Sequence, residues 1–308
     1  SIFSKSKPIN FIIVAAFVVL VFLITNYNLL FNDFNSALSA GTKLLITLFL
    51  VFILDFIISK NNLTQGNSYA IMTFGLLLGM FPQAMGFLDL LLANLFVLFA
   101  LRRLISLRSK KNVKTKLFDA AILISVASLF YFWSVLFFGL IPIVLLFYSS
   151  NNIKHWLIPF LGLATVLVLS ISVSIILYNN YWSLLNTNYY IGFNFSTYNT
   201  FQFLVGLTLL FSFGAWSTFY YLRSFKKKMR NIRPTFKTIF VALIIAFIII
   251  VISPNKNGSE LLFLFAPLAI IITNYIEIIK EKWFKEVFFG ILFFTPFVLL
   301  LLQFFTES

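Results

Sequence analysis

Apolar runs of membrane-crossing length follow one another along the chain, separated by short polar loops. About 20 apolar residues in a helix cross roughly 30 Å of hydrocarbon. The expected fold class is therefore all-α, a polytopic transmembrane helical bundle forming one integral membrane domain over residues 1–308. Composition excludes the soluble alternative: charged residues are 10% of the chain, apolar residues 61%, and the mean hydropathy is +0.99. So few charges cannot cover a globule of this size.

Eleven spans account for the pattern, at about 9–26, 42–59, 68–82, 88–107, 117–133, 135–149, 156–178, 200–222, 236–253, 261–279 and 286–305. Threaded alternately from an inner N-terminus, they leave only Lys43 and Lys256 of the 23 lysines and arginines on the outer side. Positive residues are retained on the cytoplasmic face, so this asymmetry predicts an odd number of crossings with the C-terminus outside. Spans three and six are short, and spans five and six run almost continuously through Phe130–Val135. Fusing them would invert every later loop, so a tight helical hairpin is expected there. The basic stretch Ser1–Asn10 leads directly into the first span without a small-residue cleavage pattern, and reads as a retained helix.

The net charge of +14 would suggest nucleic acid in a soluble protein. Here the bases sit in short loops beside spans, where retention and anionic lipid headgroups explain them, so no nucleic-acid partner is expected. The densest cluster, Arg223, Lys226, Lys227, Lys228, Arg230, Arg233 and Lys237, contains no acid and reads as a cytoplasmic basic surface facing membrane lipids. Docking of an acidic partner or a nucleotide-linked donor is the sharper alternative. With no cysteine and one histidine, disulfides, thiolate chemistry and a His-rich metal site are excluded, and no cofactor is expected.

Ionisable residues within spans are the usual pointers to function, because burying one is costly. Asp55 is the most embedded, about a turn before the inner end of span two. A structural charge pair with Arg102, Arg103 or Lys60 is expected, since no polar partners for an ion path lie near mid-membrane. On the outer side, Asp33, Asp89 and Glu260 could furnish a general base or a substrate clamp. Asp89 and Glu260 also begin helices, where a negative charge complements the free N–H groups, and Asn257 and Ser259 strengthen a capping role for Glu260. Asp33 has no evident helix-end role. Asp119, Glu277 and Glu286 stand at inner helix ends beside lysines and are expected to form solvated ion pairs. Gly75-Leu76-Leu77-Leu78-Gly79 has the spacing that lets membrane helices approach closely.

The stretches Leu117–Tyr131 (LFDAAILISVASLFY) and Asn257–Glu277 (NGSELLFLFAPLAIIITNYIE) resemble multispanning inner-membrane proteins of Gram-negative Bacteroidota. That resemblance implies a compartment, the bacterial inner membrane, and no activity. More distantly, the number of spans, the inner N-terminus and the acid in the first outer loop resemble GT-C glycosyltransferases, which use polyprenyl-phosphate sugars. The resemblance implies Asp33 as catalytic base, Glu260 as a metal or substrate ligand, and Lys43 and Lys256 as lipid-phosphate contacts. The first outer loop is shorter than in that family, and outer cations are scarce. The expected function is thus a non-catalytic subunit or scaffold of a cell-envelope complex, in contact with lipids and other membrane proteins. A transferase acting on a polyprenyl-linked sugar, and a transporter or lipid flippase working near Asp55, are the alternatives.

Overall fold

The computed structural model describes the chain except residues 1, 2, 4, 5, 28, 30–32, 149–151, 186–188 and 308, and omits the side chains of residue 185 and residues 303–307. Lys5, one of the expected inner cations, lies outside the described residues. Eleven α-helices and no β-strand are found among the described residues. In chain order they are α1 (Pro8–Thr25), α2 (Phe34–Asn61), α3 (Tyr69–Met80), α4 (Leu88–Ile105), α5 (Val113–Phe130), α6 (Leu140–Phe147), α7 (Ile153–Tyr178), α8 (Phe201–Ser224), α9 (Arg233–Ile252), α10 (Leu262–Ile278) and α11 (Lys282–Glu307). Eight of the described helices, some extended by short three-ten turns, are long and apolar enough to cross a membrane. The all-α expectation holds.

The chain divides into two compact units. The first comprises Ser1–Leu91, Asn194–Lys227 and Lys256–Ser308; the second comprises Leu92–Phe193 and Lys228–Asn255. In the first unit α3 and α10 are the interior. All twelve residues of α3 are buried, as is every residue of α10 from Leu262 to Ile276. Twelve residues rise only about 18 Å, short of a hydrocarbon core. Helix α3 ends at Phe81, whose non-helical backbone (φ −130°, ψ 74°) leads into a three-ten turn at Pro82–Met85. Its length is tolerable because α1, α2, α10 and α11 pack against it. Gly75 and Gly79 permit this: a Cβ on Gly75 would stand 2.8 Å from Val14 Cγ1, and one on Gly79 would stand 2.8 Å from Phe17 Cζ. The small-residue spacing serves packing, as expected.

The loop from α2 to α3 is tied to the end of α10. Asn62 adopts the left-handed conformation (φ 52°, ψ 49°) that closes α2. The Glu277 carboxylate then accepts the Gln65 N–H at 2.7 Å and the Asn67 amide at 2.5 Å, and Asn274 Nδ2 donates to the Leu63 carbonyl at 3.0 Å. Glu277 is thus a latch on a distant loop, not simply the partner of neighbouring lysines.

In the second unit, α5 and α7 approach closely at Gly162. A Cβ at Gly162 would meet Ala121 Cβ at 2.7 Å and the Phe118 carbonyl at 3.1 Å. Because that backbone cannot yield cheaply, Gly162→Val is expected to cost about 1–3 kcal/mol, read as a lowered unfolding midpoint of the purified protein in detergent. The expected break between spans five and six is present. Helix α5 stops at Tyr131, which is extended (φ −141°, ψ 106°) and donates its hydroxyl to Ser253 Oγ at 2.8 Å. The next segment differs from a plain helix: residues Phe132–Gly139 are three-ten, and only Leu140–Phe147 are α-helical. Three-ten turns rise about 2.0 Å per residue against 1.5 Å in an α-helix, so the combined stretch reaches about 28 Å, close to one hydrocarbon thickness.

Candidate functional site

The chemistry-bearing residues that the fold brings together lie just before α10 in the first unit. Gly258 adopts φ 90°, open to glycine alone at little cost, and a Cβ there would strike the Phe203 ring at 2.7 Å. Asn257 Oδ1 accepts the Ser259 N–H at 3.1 Å and the Ser259 hydroxyl at 2.5 Å, setting up a three-ten turn at Ser259–Leu261. Glu260 is carried inward on that turn and is fully buried. One carboxylate oxygen, Oε1, accepts a short hydrogen bond from the Tyr198 hydroxyl; the other, Oε2, has no hydrogen-bond partner among the described residues.

Aromatic rings close the cluster. Tyr198 sits on the three-ten turn Ser196–Tyr198, with ring centroids 6.2 Å from Phe195 and 5.3 Å from Phe203. The Lys256 ammonium lies 4.6 Å from the Phe195 centroid, and only 4% of the residue is exposed. Burial lowers the lysine pKa, while the Glu260 carboxylate works in the opposite sense by favouring the ammonium. A carboxylate, a phenol and an ammonium are therefore held in one place with little access to solvent. The adjoining cavity, lined by Phe81, Pro82, Gln83, Gln202 and Phe203 among others, has a volume of about 20 Å³. That admits roughly one water molecule. A drug-sized ligand requires several hundred Å³.

The remaining sequence candidates take other places. Asp33 is exposed and is the N-cap of α2, in a capping box with Ser36. This corrects the expectation that Asp33 has no helix-end role: α2 begins at Phe34, about two turns before the expected span, and the Ser36 hydroxyl accepts the Asp33 N–H while donating to its carboxylate. Replacing it with alanine is expected to cost about 1 kcal/mol, with Asp33→Asn nearly neutral, as measured by thermal unfolding. Lys43 is half-exposed within α2, in its third turn. Lys256, expected as an outer phosphate contact, is instead buried beside Glu260.

Asp55 is half-buried in α2 and makes no ion pair among the described residues. Arg103 takes Asp119 as its partner at 3.1 Å, and Arg102 is half-buried on the same helix. The expectation of a solvent-accessible pair for Asp119 holds. In the basic stretch, the first unit carries Arg223, over the Phe219 ring at 4.4 Å, with Lys226 and Lys227 exposed. In the second unit, Lys228 lies over Phe236 at 4.4 Å, Arg233 Nε donates to the Lys228 carbonyl at 2.8 Å, Lys237 lies 5.3 Å from the Phe147 centroid, and Arg230 is exposed. Among the described residues no three His, Asp or Glu side chains converge in a way that could hold a metal ion.

Sequence reasoning missed Tyr198. Its only signal was its place in a loop rich in tyrosine and asparagine.

The model of a family of unknown function, DUF6427, matches residues 1–307. The chain belongs to the DUF6427 family. Since the match runs from the first unit through the last helix, both units and the Glu260 cluster fall inside the DUF6427 region. Neither the curated proteins nor the solved structures contain a match to this DUF6427 chain.

Proposed function

We propose that this DUF6427 protein is a non-catalytic subunit of a cell-envelope complex, embedded in the bacterial inner membrane by eleven crossings with its N-terminus in the cytoplasm. The observation that carries the proposal is the state of the outer-side acids. Glu260 is fully buried and bonded to Tyr198, the cavity beyond the Phe203 ring holds only about 20 Å³, and Asp33 is engaged as a helix cap. A transferase would need a carboxylate within hydrogen-bond reach of a bulky lipid-linked donor. A sealed acid–phenol–ammonium cluster suits a structural role instead, fastening the segment around Tyr198 to the start of α10.

Two measurements test this. The full chain, tagged and extracted in mild detergent, should bring down at least one membrane protein in fixed proportion, as identified by mass spectrometry. A monomer that carries out a reaction on its own would overturn the proposal. For the topology, the absence of cysteine allows single-site labelling without background. In intact cells Tyr190→Cys should react with a membrane-impermeant maleimide and Lys227→Cys should be protected; the opposite pattern would reverse the orientation.

A further inference from the structure

Helix α2 of the first unit turns one face outward. Leu38, Leu45, Phe49 and Phe52 are exposed along it, at spacings of three, four and seven residues, the repeat by which one helix packs on another. Leu45 is 70% exposed and Phe52 51%. The half-buried Asp55 continues this face, three residues after Phe52 and four before the exposed Ser59. It is set in an otherwise apolar stretch, with Phe52-Ile53-Leu54 on one side and Phe56-Ile57-Ile58 on the other. About 9 Å of helix separate it from Asn61, where α2 closes. Its carboxylate has no hydrogen bond and no ion pair among the described residues, and no neighbouring charge acts on it. Lys60 is exposed, but it stands about 140° around the helix from Asp55.

An acid inside a membrane span is costly, and it is kept where it faces a bundle interior or meets a counter-charge. Asp55 has neither within its own chain. We infer that the outward face of α2 docks a transmembrane helix of a different protein, which brings a lysine or arginine to Asp55 near the inner end of the span. The inference rests on the subunit role proposed above and names the chemistry of the partner. A second copy of the chain does not suit this face. Copies share one orientation in the membrane, so a two-fold contact along α2 sets Asp55 against Asp55. A lipid ammonium does not suit it either, since it is held in the headgroup layer while the aspartate side chain is short. A lysine or arginine on a neighbouring helix has a stem long enough to join the two levels.

Tagged full-length chain extracted from native membranes in mild detergent tests it, with recovered membrane proteins quantified by mass spectrometry. Asp55→Asn should lower the ratio of one such protein to the tagged chain about tenfold, whereas Asp55→Glu should retain it. Asp55→Lys should abolish its recovery, and replacing the partner's intramembrane lysine or arginine by aspartate should restore it. Purified alone, Asp55→Asn should keep the wild-type gel-filtration profile and thermal midpoint, because it breaks no contact within the chain. A lowered midpoint would make Asp55 a structural residue of this chain and overturn the inference. So would a lost partner whose spans hold no base, a charge exchange that restores nothing, or loss of a second copy of the chain in place of a different protein. A partner held at full ratio by Asp55→Asn would overturn the inference alone and leave the subunit proposal standing on another surface. Recovery of no membrane protein in fixed proportion would remove the subunit proposal, and this inference with it.

Discussion

Gly75→Leu is expected to abolish the folded state, with a loss of at least about 3 kcal/mol and no monodisperse protein recovered from detergent. The position admits no side chain: a Cβ would sit 2.8 Å from Val14 Cγ1 and 3.6 Å from Val18 Cγ2, and both valines are essentially inaccessible. Relaxation elsewhere is blocked because α3 is buried along its whole length. Gly41, in α2, provides the control. Nothing lies within 4 Å of a Cβ there, so Gly41→Ala should raise stability by about 0.5–1 kcal/mol through helix propensity alone. Thermal midpoints from fluorescence-detected gel filtration separate the two outcomes. Equal tolerance of both substitutions would show that α3 does not pack against α1 as described.

The second large effect concerns Glu260. Tyr198→Phe removes the donor to Oε1 and leaves a fully buried carboxyl group with neither oxygen bonded by a side chain. Losing a hydrogen bond to a charged buried group costs about 1.5–3 kcal/mol. Glu260→Gln keeps an acceptor for the tyrosine but removes the counter-charge beside Lys256. In a double-mutant cycle, Tyr198→Phe should therefore cost less in the Glu260→Gln background than in the wild type, with a coupling of about 0.5–3 kcal/mol. Strict additivity of the two substitutions would mean that the tyrosine and the acid do not act as a pair.

Hydropathy made the long helices legible because each is apolar on nearly every face, so no periodicity had to be resolved. Helix α2 was cut short for the same reason. Its first two turns, Phe34-Asn35-Ser36-Ala37-Leu38-Ser39, dilute an apolar window, although Asp33 and Ser36 already form a cap signature three residues apart. The stretch Phe132–Phe147 is uniformly apolar, so nothing in it marks the change from three-ten to α-helical winding. Local signals served the Glu260 turn well, since Asn257 and Ser259 are its immediate neighbours. Its partner Tyr198 could not be assigned, because it stands 62 residues away. Glu277 shows the same boundary: lysines nearby in sequence suggested its partners, but it also bonds to Gln65, 212 residues distant.

The enclosure of α3 also has a consequence for biosynthesis. A segment too short to rest alone in the bilayer must wait for the helices that cover it, and α10 emerges from the ribosome roughly 180 residues after α3. At ordinary elongation rates that interval is on the order of 10–40 s. During it the nascent chain carries an uncovered, poorly anchored element. Nascent chains stalled before residue 262 should therefore lean on the insertion machinery and be degraded quickly, whereas those released after residue 302 should not.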